Sequence, residues 1–280
     1  MRLALTPRRE VLSTLKAVAR PVYHRVFRMH LRMRFWYADW VASPSEVPVP
    51  PAILRFRVSE SLSVAEFLRI GAGCAGLIRR HVNGMGMDFA SARRVLDFGC
   101  GCGRTMRWFL CDNGDTEFHG VDVDADAVDW CGRHLKRGHF LVTEPAPPLP
   151  YPAEYFDVVY CLSVFTHLNE PMQDAWLSEL ARILKPGGVL LLTVFGNAAS
   201  NRLDQPGRMV LQEQGFVNRR SRKLRGVVPD WYQTTFHSRK YIVTRLSTWF
   251  TDIRYSEVPD GRQDVVTARR PSTTCSANCC

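Results

Sequence analysis

A run of three glycines at alternate positions restricts how this chain folds more than any other feature. Gly99, Gly101 and Gly103 follow residues 95–98, which read Val-Leu-Asp-Phe. The apolar residues predict a short buried strand, and the glycines remove side chains that would keep a ligand away from the backbone. We therefore expect a strand, a ligand-binding loop and a helix that begins near Gly103.

Asp97, the polar residue of this strand, limits the kind of ligand. A loop that leads into a helix presents backbone N–H groups, which suit an anion, but a carboxylate at the same strand end repels one. The dinucleotide fingerprint also needs a third glycine three residues after the second, where this sequence has Arg104 or Met106. The pattern argues against a pyrophosphate and favours a cationic or neutral ligand.

The following segments alternate between apolar strands and helices of 3.6-residue periodicity. A second strand carries Asp122, 19 residues after Gly103, which brings a second carboxylate to the same edge of a parallel sheet. Asp124, Asn169 and Ser238 are expected to cap the helices that follow them. The predicted strands are residues 95–98, 118–123, 139–142, 155–161, 189–194, 252–258 and 263–268, and helices are also predicted over 64–82 and 105–111.

Two separate motifs resemble one enzyme family. Asp97-x-Gly99-x-Gly101-x-Gly103 resembles the first motif of class I S-adenosylmethionine-dependent methyltransferases, and Lys185-Pro-Gly-Gly188, closing a helix before an apolar strand, is also typical of them. Residues 162–168 are similar to a motif that follows the fourth strand in one branch of the family. The resemblance covers about residues 50–270. It implies an α/β, Rossmann-like fold with a seven-stranded, mostly parallel sheet, helices on both faces and an antiparallel strand near the C-terminus.

The resemblance, together with the charge and proline distribution outside it, divides the chain. We expect a basic helical N-terminal extension (1–44), a linker and helical cap over the cofactor pocket (45–90), a methyltransferase core (91–270) with a lid insertion (199–237), and a Cys-containing tail (271–280). In the cap helix, Gly71 and Gly73 mark either a close approach to the ligand or ordinary helix packing.

The resemblance also assigns site residues for S-adenosylmethionine. Asp122 would accept hydrogen bonds from the ribose hydroxyls and is favoured over Asp124 for this role. Either Thr143 or Glu144 would meet the adenine. The full set of predicted cofactor-binding residues is Asp97, Gly99, Cys100, Gly101, Gly103, Asp122, Val123, Thr143, Glu144 and Cys161. No metal site is predicted, because Cys100 and Cys102 lack partners at ligand spacing.

A hydroxyl acceptor needs a base, and His167 is the first candidate because it follows the fourth strand at the rim where cofactor and acceptor meet. His237 and Tyr232, in the predicted lid, are weaker alternatives. The lid also holds a basic cluster at 219–225, which is either a substrate-recognition element or a solvated loop.

The net charge of +10 is unevenly distributed. Residues 1–38 carry nine Arg or Lys against one acid, so the core is close to neutral and nucleic acid is not indicated as a partner. The extension, with apolar residues that include Trp36 and Trp40, either packs on the domain or meets an anionic membrane or an acidic partner; an organelle-targeting peptide is a further alternative. The nine cysteines show no paired spacing, which fits a cytoplasmic protein with reduced thiols, peripherally membrane-associated if the extension binds lipid.

The sequence thus predicts methyl transfer to a small-molecule or glycan acceptor, at a hydroxyl oxygen. The alternatives are an RNA or protein methyltransferase and an inactive methyltransferase-like scaffold. Residues 161–164, Cys-Leu-Ser-Val, lack the Asn-Pro-Pro-Tyr type of tetrapeptide that many base-amino methyltransferases carry there. The tail that ends in Cys279 and Cys280 is expected to be disordered, although paired terminal cysteines can also carry lipid.

Overall fold

The computed structural model describes residues 26–27, 29–41, 48–111, 114–220, 233–258 and 263–272. The chain divides into two compact units, Met1–Phe67 and Leu68–Cys280. Most of the predicted tail (273–280) and most of the lid's basic cluster lie outside the described residues.

The N-terminal unit contains helix α1 (residues 26–27 and 29–40) and helix α2 (Ala52–Ser59). Arg55 of α2 is 1% exposed, and its guanidinium donates to the backbone oxygens of Pro50 (2.6 Å) and Leu62 (3.0 Å). Its Nη1 also lies 3.3 Å from Oδ1 of Asp39, on α1. A buried charge needs such partners, so Arg55 ties both helices and the segment between them together.

The larger unit contains the predicted seven-stranded sheet. Its strands lie in the order β3-β2-β1-β4-β5-β9-β8. The neighbouring pairs from β3 to β5 are parallel, and β9 runs antiparallel to both β5 and β8. The Rossmann-like fold class is confirmed. The strand bounds are β1 Arg94–Phe98, β2 Glu117–Asp122, β3 Gly138–Val142, β4 Phe156–Cys161, β5 Leu184–Val194, β6 Phe216–Arg220, β7 Gln233–His237, β8 Thr251–Ser256 and β9 Asp264–Arg269.

The start of β5 differs from the prediction. Residues 185–188 were expected to end the preceding helix, but β5 already begins at Leu184. Gly187 adopts a φ of +77°, its N–H donates to the backbone oxygen of Arg270, and the N–H of Arg270 donates to Gly188. The two glycines therefore allow an irregular strand start that pairs with the chain beyond β9.

The helices follow the predicted caps. Side-chain oxygens of Asp124, Asn169 and Ser238 each accept a backbone N–H in the first turn of α5, α6 and α8. The helix predicted over 105–111 is shorter than expected, because turns occupy residues 101–106. The bounds are α3 Val64–Gly84, α4 Arg107–Leu110, α5 Ala125–His134, α6 Glu170–Ile183, α7 Gln205–Gln214 and α8 Arg239–Leu246.

Most of the predicted lid insertion is ordered secondary structure. Helix α7 and the antiparallel β6–β7 hairpin form within it. A small separate core holds these elements together; it consists of Phe195, Ala199, Leu203, Leu211, Val217 and Phe236. The residues that connect β6 to β7, 221–232, lie outside the described part of the chain.

Among the described residues, no single helix is both long and apolar enough to cross a bilayer, although α2 and α3 pass that test as a bent pair by length and composition.

Two glycines of α3 give a matched test of how this helix packs. A Cβ at Gly71 would lie 2.2 Å from the backbone oxygen of Arg104 and 2.8 Å from Nε1 of Trp108, whereas one at Gly73 would meet nothing within 4 Å. We expect Gly71→Ala to lower the free energy of unfolding by about 2 kcal/mol or more, because the helix must shift. Gly73→Ala should raise it by roughly 0.5–1 kcal/mol, since alanine favours a helix.

Urea unfolding of both variants measures this difference. Equal effects of the two substitutions would show that Gly71 does not pack tightly on Arg104. The packing supports the helix-packing alternative for Gly71.

Candidate functional site

The glycine loop lies where β1 ends and is fastened to the end of β2. Gly99, Gly101 and Gly103 all adopt left-handed backbone conformations, with φ of +82°, +50° and +69°. The N–H groups of Gly99 and Cys100 donate to the backbone oxygen of Val121, at 2.8 and 3.0 Å. Residues other than glycine rarely adopt these backbone conformations, so the three glycines determine the path of the loop.

Two of these glycines also make room for the protein's own side chains. A Cβ at Gly99 would lie 2.3 Å from Cγ2 of Val164, and a Cβ at Gly103 would lie 2.4 Å from Cδ1 of Leu135. The sequence predicted that the missing side chains leave space for a ligand. At Gly99 and Gly103, they also leave space for side chains of the protein itself. At these positions, glycine also lets the loop pack against the segment after β4 and against α5.

The carboxylate of Asp122, the last residue of β2, is held from two sides. Its Oδ2 accepts the N–H of Gly101 at 2.7 Å, and its Oδ1 accepts the N–H of Asp124 at 2.9 Å. Burial raises the pKa of Asp122, and these two backbone donors oppose that effect. Both oxygens thus have fixed directions, and each keeps a lone pair for a further donor.

Asp97 lies inside β1, next to Gly120 of β2 and Tyr160 of β4 in the sheet register. It is 3% exposed, and burial raises its pKa to about 7, against the lowering effect of the Tyr160 hydroxyl and of Arg104. A bound cation or hydrogen-bond donor would stabilise the ionised form of such a carboxyl group. Asp97 and Asp122 are therefore two acceptors at the same edge of the sheet, joined by the glycine loop.

The predicted adenine contacts lie at the end of β3. The N–H of Thr143 donates to the backbone oxygen of Asp122 at 3.0 Å, which places Thr143 beside that carboxylate residue. The Thr143 hydroxyl donates to the backbone oxygen of Glu144, and Glu144 itself is exposed. Val123 is also exposed. The structure brings all three to the rim, and the choice between Thr143 and Glu144 stays open.

The side chains of the two predicted cysteine contacts are buried in the protein. Cys161 is 0% exposed and belongs to the main hydrophobic core, where its thiol contacts the backbone oxygen of Leu191 at 3.5 Å. Cys100 is also buried, and burial raises the pKa of both thiols well above the ordinary value. A ligand contact at Cys161 would therefore be made by its backbone atoms, and its role in cofactor binding stays a prediction.

His167 lies at the predicted rim and is tied to the β6–β7 hairpin. Its Nδ1 lies 2.8 Å from the backbone oxygen of Gln233, the first residue of β7. A carbonyl oxygen can only accept, so the ring carries its proton on Nδ1. Burial lowers the pKa of His167 to about 4, and the bond to Gln233 opposes this only in part. The imidazole is therefore neutral at physiological pH, with a basicity below that of an ordinary histidine.

Of the two weaker candidates for the base, the structure describes only His237. His237 is fully buried, its Nε2 lies 3.0 Å from Oε1 of Gln173, and burial lowers its pKa to about 3. The Nε2 of Gln173 in turn donates to the backbone oxygens of Phe165 and Leu168. His237 thus connects the hairpin to α6 and lies inside the protein, which is wrong for a base that must reach an acceptor. Tyr232 lies outside the described residues.

A polar network after β4 could not be anticipated from the sequence. Ser163 adopts a φ of +64°, and its N–H donates to the hydroxyl of Thr193, at the end of β5. Gln263, just before β9, contacts the hydroxyls of both Ser163 (2.8 Å from its Nε2) and Thr193 (2.5 Å from its Oε1). The three side chains join the ends of three strands on the side of the sheet where the hairpin is attached. Positions 163 and 263 are too far apart in sequence for any local motif to link them.

Among the described residues, no group of three or more His, Cys, Asp or Glu side chains is arranged to hold a metal ion.

The comparisons with known proteins agree with this geometry. A family model described as a methyltransferase domain matches residues 96–192, from β1 to β5. Residues 96–192 form a methyltransferase domain. A putative O-methyltransferase from Nostoc punctiforme has a similar fold, with a TM-score of 0.53 at 18% identity over 82% of this chain and 63% of that one.

A second solved structure, the 1,6-didemethyltoxoflavin-N1-methyltransferase of Burkholderia thailandensis with bound 1,6-didemethyltoxoflavin and S-adenosylhomocysteine, gives a TM-score of 0.52 at 16% identity. It covers 82% of this chain and 95% of the other. At such identities, the likeness establishes the fold of the methyltransferase domain and its continuation beyond residue 192.

Two curated relatives each match 36% of this chain. A fatty-acid O-methyltransferase of Mycolicibacterium smegmatis is 35% identical over 102 residues, which are 36% of this chain and 36% of that protein. A tRNA (carboxymethyluridine(34)-5-O)-methyltransferase of Arabidopsis thaliana is 32% identical over 102 residues, 36% of this chain and 24% of that protein. The chain thus spans about a third of the first relative's length and about a quarter of the second's.

Proposed function

We propose that this chain transfers the methyl group of S-adenosylmethionine to a hydroxyl oxygen of a small molecule or glycan. One observation carries the proposal. Asp97 and Asp122 lie at the carboxyl ends of adjacent parallel strands, and the left-handed glycine loop between them is hydrogen-bonded to Asp122. Crevices at the carboxyl ends of parallel strands are where ligands bind in open α/β sheets.

The residues at this edge fit S-adenosylmethionine group by group. Asp122 has two oriented oxygens, which suit the two neighbouring ribose hydroxyls. Asp97, whose pKa burial raises to about 7, suits the positively charged methionine end. Thr143 or Glu144 would meet the adenine. When bound, the cofactor supplies a methyl group on a positively charged sulfur, which is activated for displacement.

The chain's own task is then to align an acceptor and to exclude water. Alignment of this kind supplies roughly 7–11 kcal/mol in well-oriented reactions. Ser163, Thr193 and Gln263 stiffen the segment after β4, and Thr235 of the hairpin donates its N–H to Thr166 and its hydroxyl to Leu168. These contacts hold the hairpin in position to act as one wall of the acceptor pocket.

RNA methylation is the main competing proposal, because one relative named above acts on tRNA by its printed name. Against it, the basic excess is concentrated in residues 1–38, outside the matched methyltransferase domain. Binding to RNA depends on phosphate neutralisation and weakens steeply with salt. Methyl incorporation into RNA, with such a salt dependence, would favour this alternative over a small-molecule acceptor.

Calorimetric titration with S-adenosylmethionine and, separately, with S-adenosylhomocysteine is the first test. We expect micromolar dissociation constants for both, followed by transfer of labelled methyl groups in a screen of hydroxyl-containing small molecules and glycans. Folded protein that binds neither compound would support the inactive-scaffold alternative. Transfer only to nitrogen or carbon acceptors would contradict the hydroxyl assignment and leave the methyltransferase proposal standing.

His167 as general base gives a separate prediction. We expect His167→Ala to lower kcat by roughly 100-fold, which is typical of a lost general base, with little change in the dissociation constant of the cofactor. With a pKa of about 4, His167 is in its neutral, proton-accepting form at pH 7, so kcat should stay flat as the pH falls and drop only near pH 4. Stopped assays with labelled cofactor between pH 4 and 8 measure both effects.

His134→Ala is the matched control, because His134 also places Nδ1 2.8 Å from a backbone oxygen, that of Trp130. Full turnover by His167→Ala with intact cofactor binding would remove His167 from the mechanism. An equal loss in both variants would point to structural damage in general.

A further inference from the structure

Helix α1 carries two different apolar sides. The inner side packs within the N-terminal unit: Phe35 contacts Phe56 of α2, with ring centroids 5.6 Å apart, and Asp39 accepts the N–H of Ala52 and pairs with Arg55. The other side, which we call the aromatic face, consists of Met29, Met33, Trp36, Tyr37 and Trp40, each more than half exposed.

The spacing of the aromatic face is that of one continuous helical stripe. At 3.6 residues per turn, these five positions fall within an arc of about 100°. The rings of Trp36 and Trp40 stack with centroids 6.2 Å apart, and Tyr37 lies at the same distance from Trp40. Because the inner side already supplies the contacts that hold α1 to α2, the aromatic face is not needed for that packing. Large apolar stripes exposed in this way mark interaction surfaces.

The charges beside the stripe indicate the chemistry of the partner. Arg32 and Arg34 are exposed, and the helical spacing places them on opposite flanks of the aromatic face. Asp39 is the only acid among the described residues of α1, and it is paired with Arg55. The sequence continues this pattern, with nine basic residues against one acid in residues 1–38. The partner is therefore anionic around an apolar interior.

We propose that α1 binds the surface of an anionic lipid bilayer, with the aromatic face inserted at the level of the headgroups. Trp and Tyr have an apolar body with a polar tip, which suits this boundary, and arginine heads reach outward from an apolar stem to the phosphates. An acidic protein would match the arginines, but exposed Met and Trp side chains in a continuous stripe need an extended apolar phase. The binding is independent of methyl transfer and of the cofactor site.

Flotation of the full chain with lipid vesicles tests this proposal. One set of vesicles is phosphatidylcholine alone, and the other contains about one-third phosphatidylglycerol, because anionic surface potential attracts basic segments. We expect binding to the anionic vesicles, weakened by added salt, and much less binding to the neutral ones. Trp36→Ser with Trp40→Ser should reduce the partition coefficient about tenfold or more, since two large aromatic side chains are lost from the interface.

Two further variants separate the contributions. Arg32→Gln with Arg34→Gln should reduce binding to anionic vesicles by about fivefold for each arginine, with a weaker salt dependence. Met209→Ser, which removes an exposed apolar side chain from α7, is the matched control and should bind like the parent. Thermal unfolding of all variants checks that each is folded.

Several outcomes would overturn the proposal. These are equal binding to neutral and anionic vesicles, unchanged binding by the Trp36 and Trp40 double variant, and no vesicle binding at all. A concentration-dependent dimer that the double variant abolishes, without vesicle binding, would instead make a second copy of this chain the occupant. Binding to polyglutamate but not to vesicles would identify an acidic protein as the partner.

Discussion

Replacement of Asp122 by alanine is expected to weaken S-adenosylmethionine binding at least ~100-fold, the largest effect of any single substitution in the site. The carboxylate has two tasks. It fixes the glycine loop through the N–H of Gly101 at 2.7 Å, and it offers its remaining lone pairs to the ribose. Hydrogen bonds to a charged group contribute about 1.5–3 kcal/mol each, so loss of two of them alone accounts for this factor. Calorimetry with both the cofactor and its demethylated product measures it.

Asp124→Asn is the matched control for Asp122→Ala. Asp124 lies two residues away and caps α5 by accepting the N–H of Ala127 at 3.3 Å, a role that asparagine performs equally well. We expect its dissociation constant for the cofactor to stay within about threefold of the parent, because cap strength changes little. A large loss in Asp124→Asn with little change in Asp122→Ala would reverse the two assignments.

Asp122→Asn separates the two tasks of the carboxylate. Its amide keeps one oxygen acceptor but turns the other into a donor, which opposes either Gly101 or Asp124. We expect an affinity between those of the parent and Asp122→Ala. An affinity equal to that of the parent would show that neither the charge nor the second acceptor matters for binding.

The sequence predicted those parts of the site that depend on residues close together in the chain. The glycine loop, the strand that precedes it and the caps at Asp124, Asn169 and Ser238 each depend on residues within a few positions of one another. The second carboxylate, Asp122, was predictable because one helix and one strand return a parallel crossover to the same edge. Local propensity and this handedness rule were sufficient for the individual strands and for bringing Asp97 and Asp122 to one edge, whereas the seven-stranded sheet was what the family resemblance implied.

The parts that were missed depend on contacts between distant segments. Gln263 meets Ser163 and Thr193 only after the sheet has formed. His237 looks like a free lid histidine in the sequence, but strand β7 carries it into the core beside Gln173. The burial of Arg55 could not be predicted either, because an arginine in an amphipathic helix is ordinarily solvated. Its burial depends on three partners that only the folded chain brings together. Acceptor-side chemistry is therefore the least predictable part of this protein.

His167 illustrates the same limit. The sequence placed it correctly after β4, and its unperturbed pKa near 6.5 made it an obvious base. The hairpin covers it, however, and burial lowers the pKa to about 4. The direction of that shift follows from burial of the ring, which the sequence does not show, and the hydrogen bond to Gln233 acts in the opposite direction.

Asp97 gives the second large effect, a dependence of cofactor binding on pH. Without ligand, burial raises the pKa of Asp97 to about 7, so the carboxyl group is mostly protonated at pH 5.5 and mostly ionised at pH 7.5. A cationic ligand needs the ionised form. The apparent dissociation constant for S-adenosylmethionine should therefore be about 25-fold larger at pH 5.5 than at pH 7.5, with one proton released for each ligand bound near pH 6.

Asp97→Asn should bind S-adenosylmethionine weakly at every pH and should lose both the pH dependence and the proton release, which calorimetry in buffers of different ionisation enthalpy measures. The melting temperature of the ligand-free variant provides a folding control, because the substitution that weakens cofactor binding should not destabilise the protein. A group whose pKa is raised by folding stabilises the protein below its unfolded pKa, and that stabilisation is lost as the pH rises through 7. Asp97→Asn should consequently melt at or above the parent's temperature at pH 8, and this advantage should shrink as the pH falls below 7 and disappear only near pH 4. A variant that binds like the parent at pH 7.5 would show that Asp97 does not contact the charged end of the cofactor.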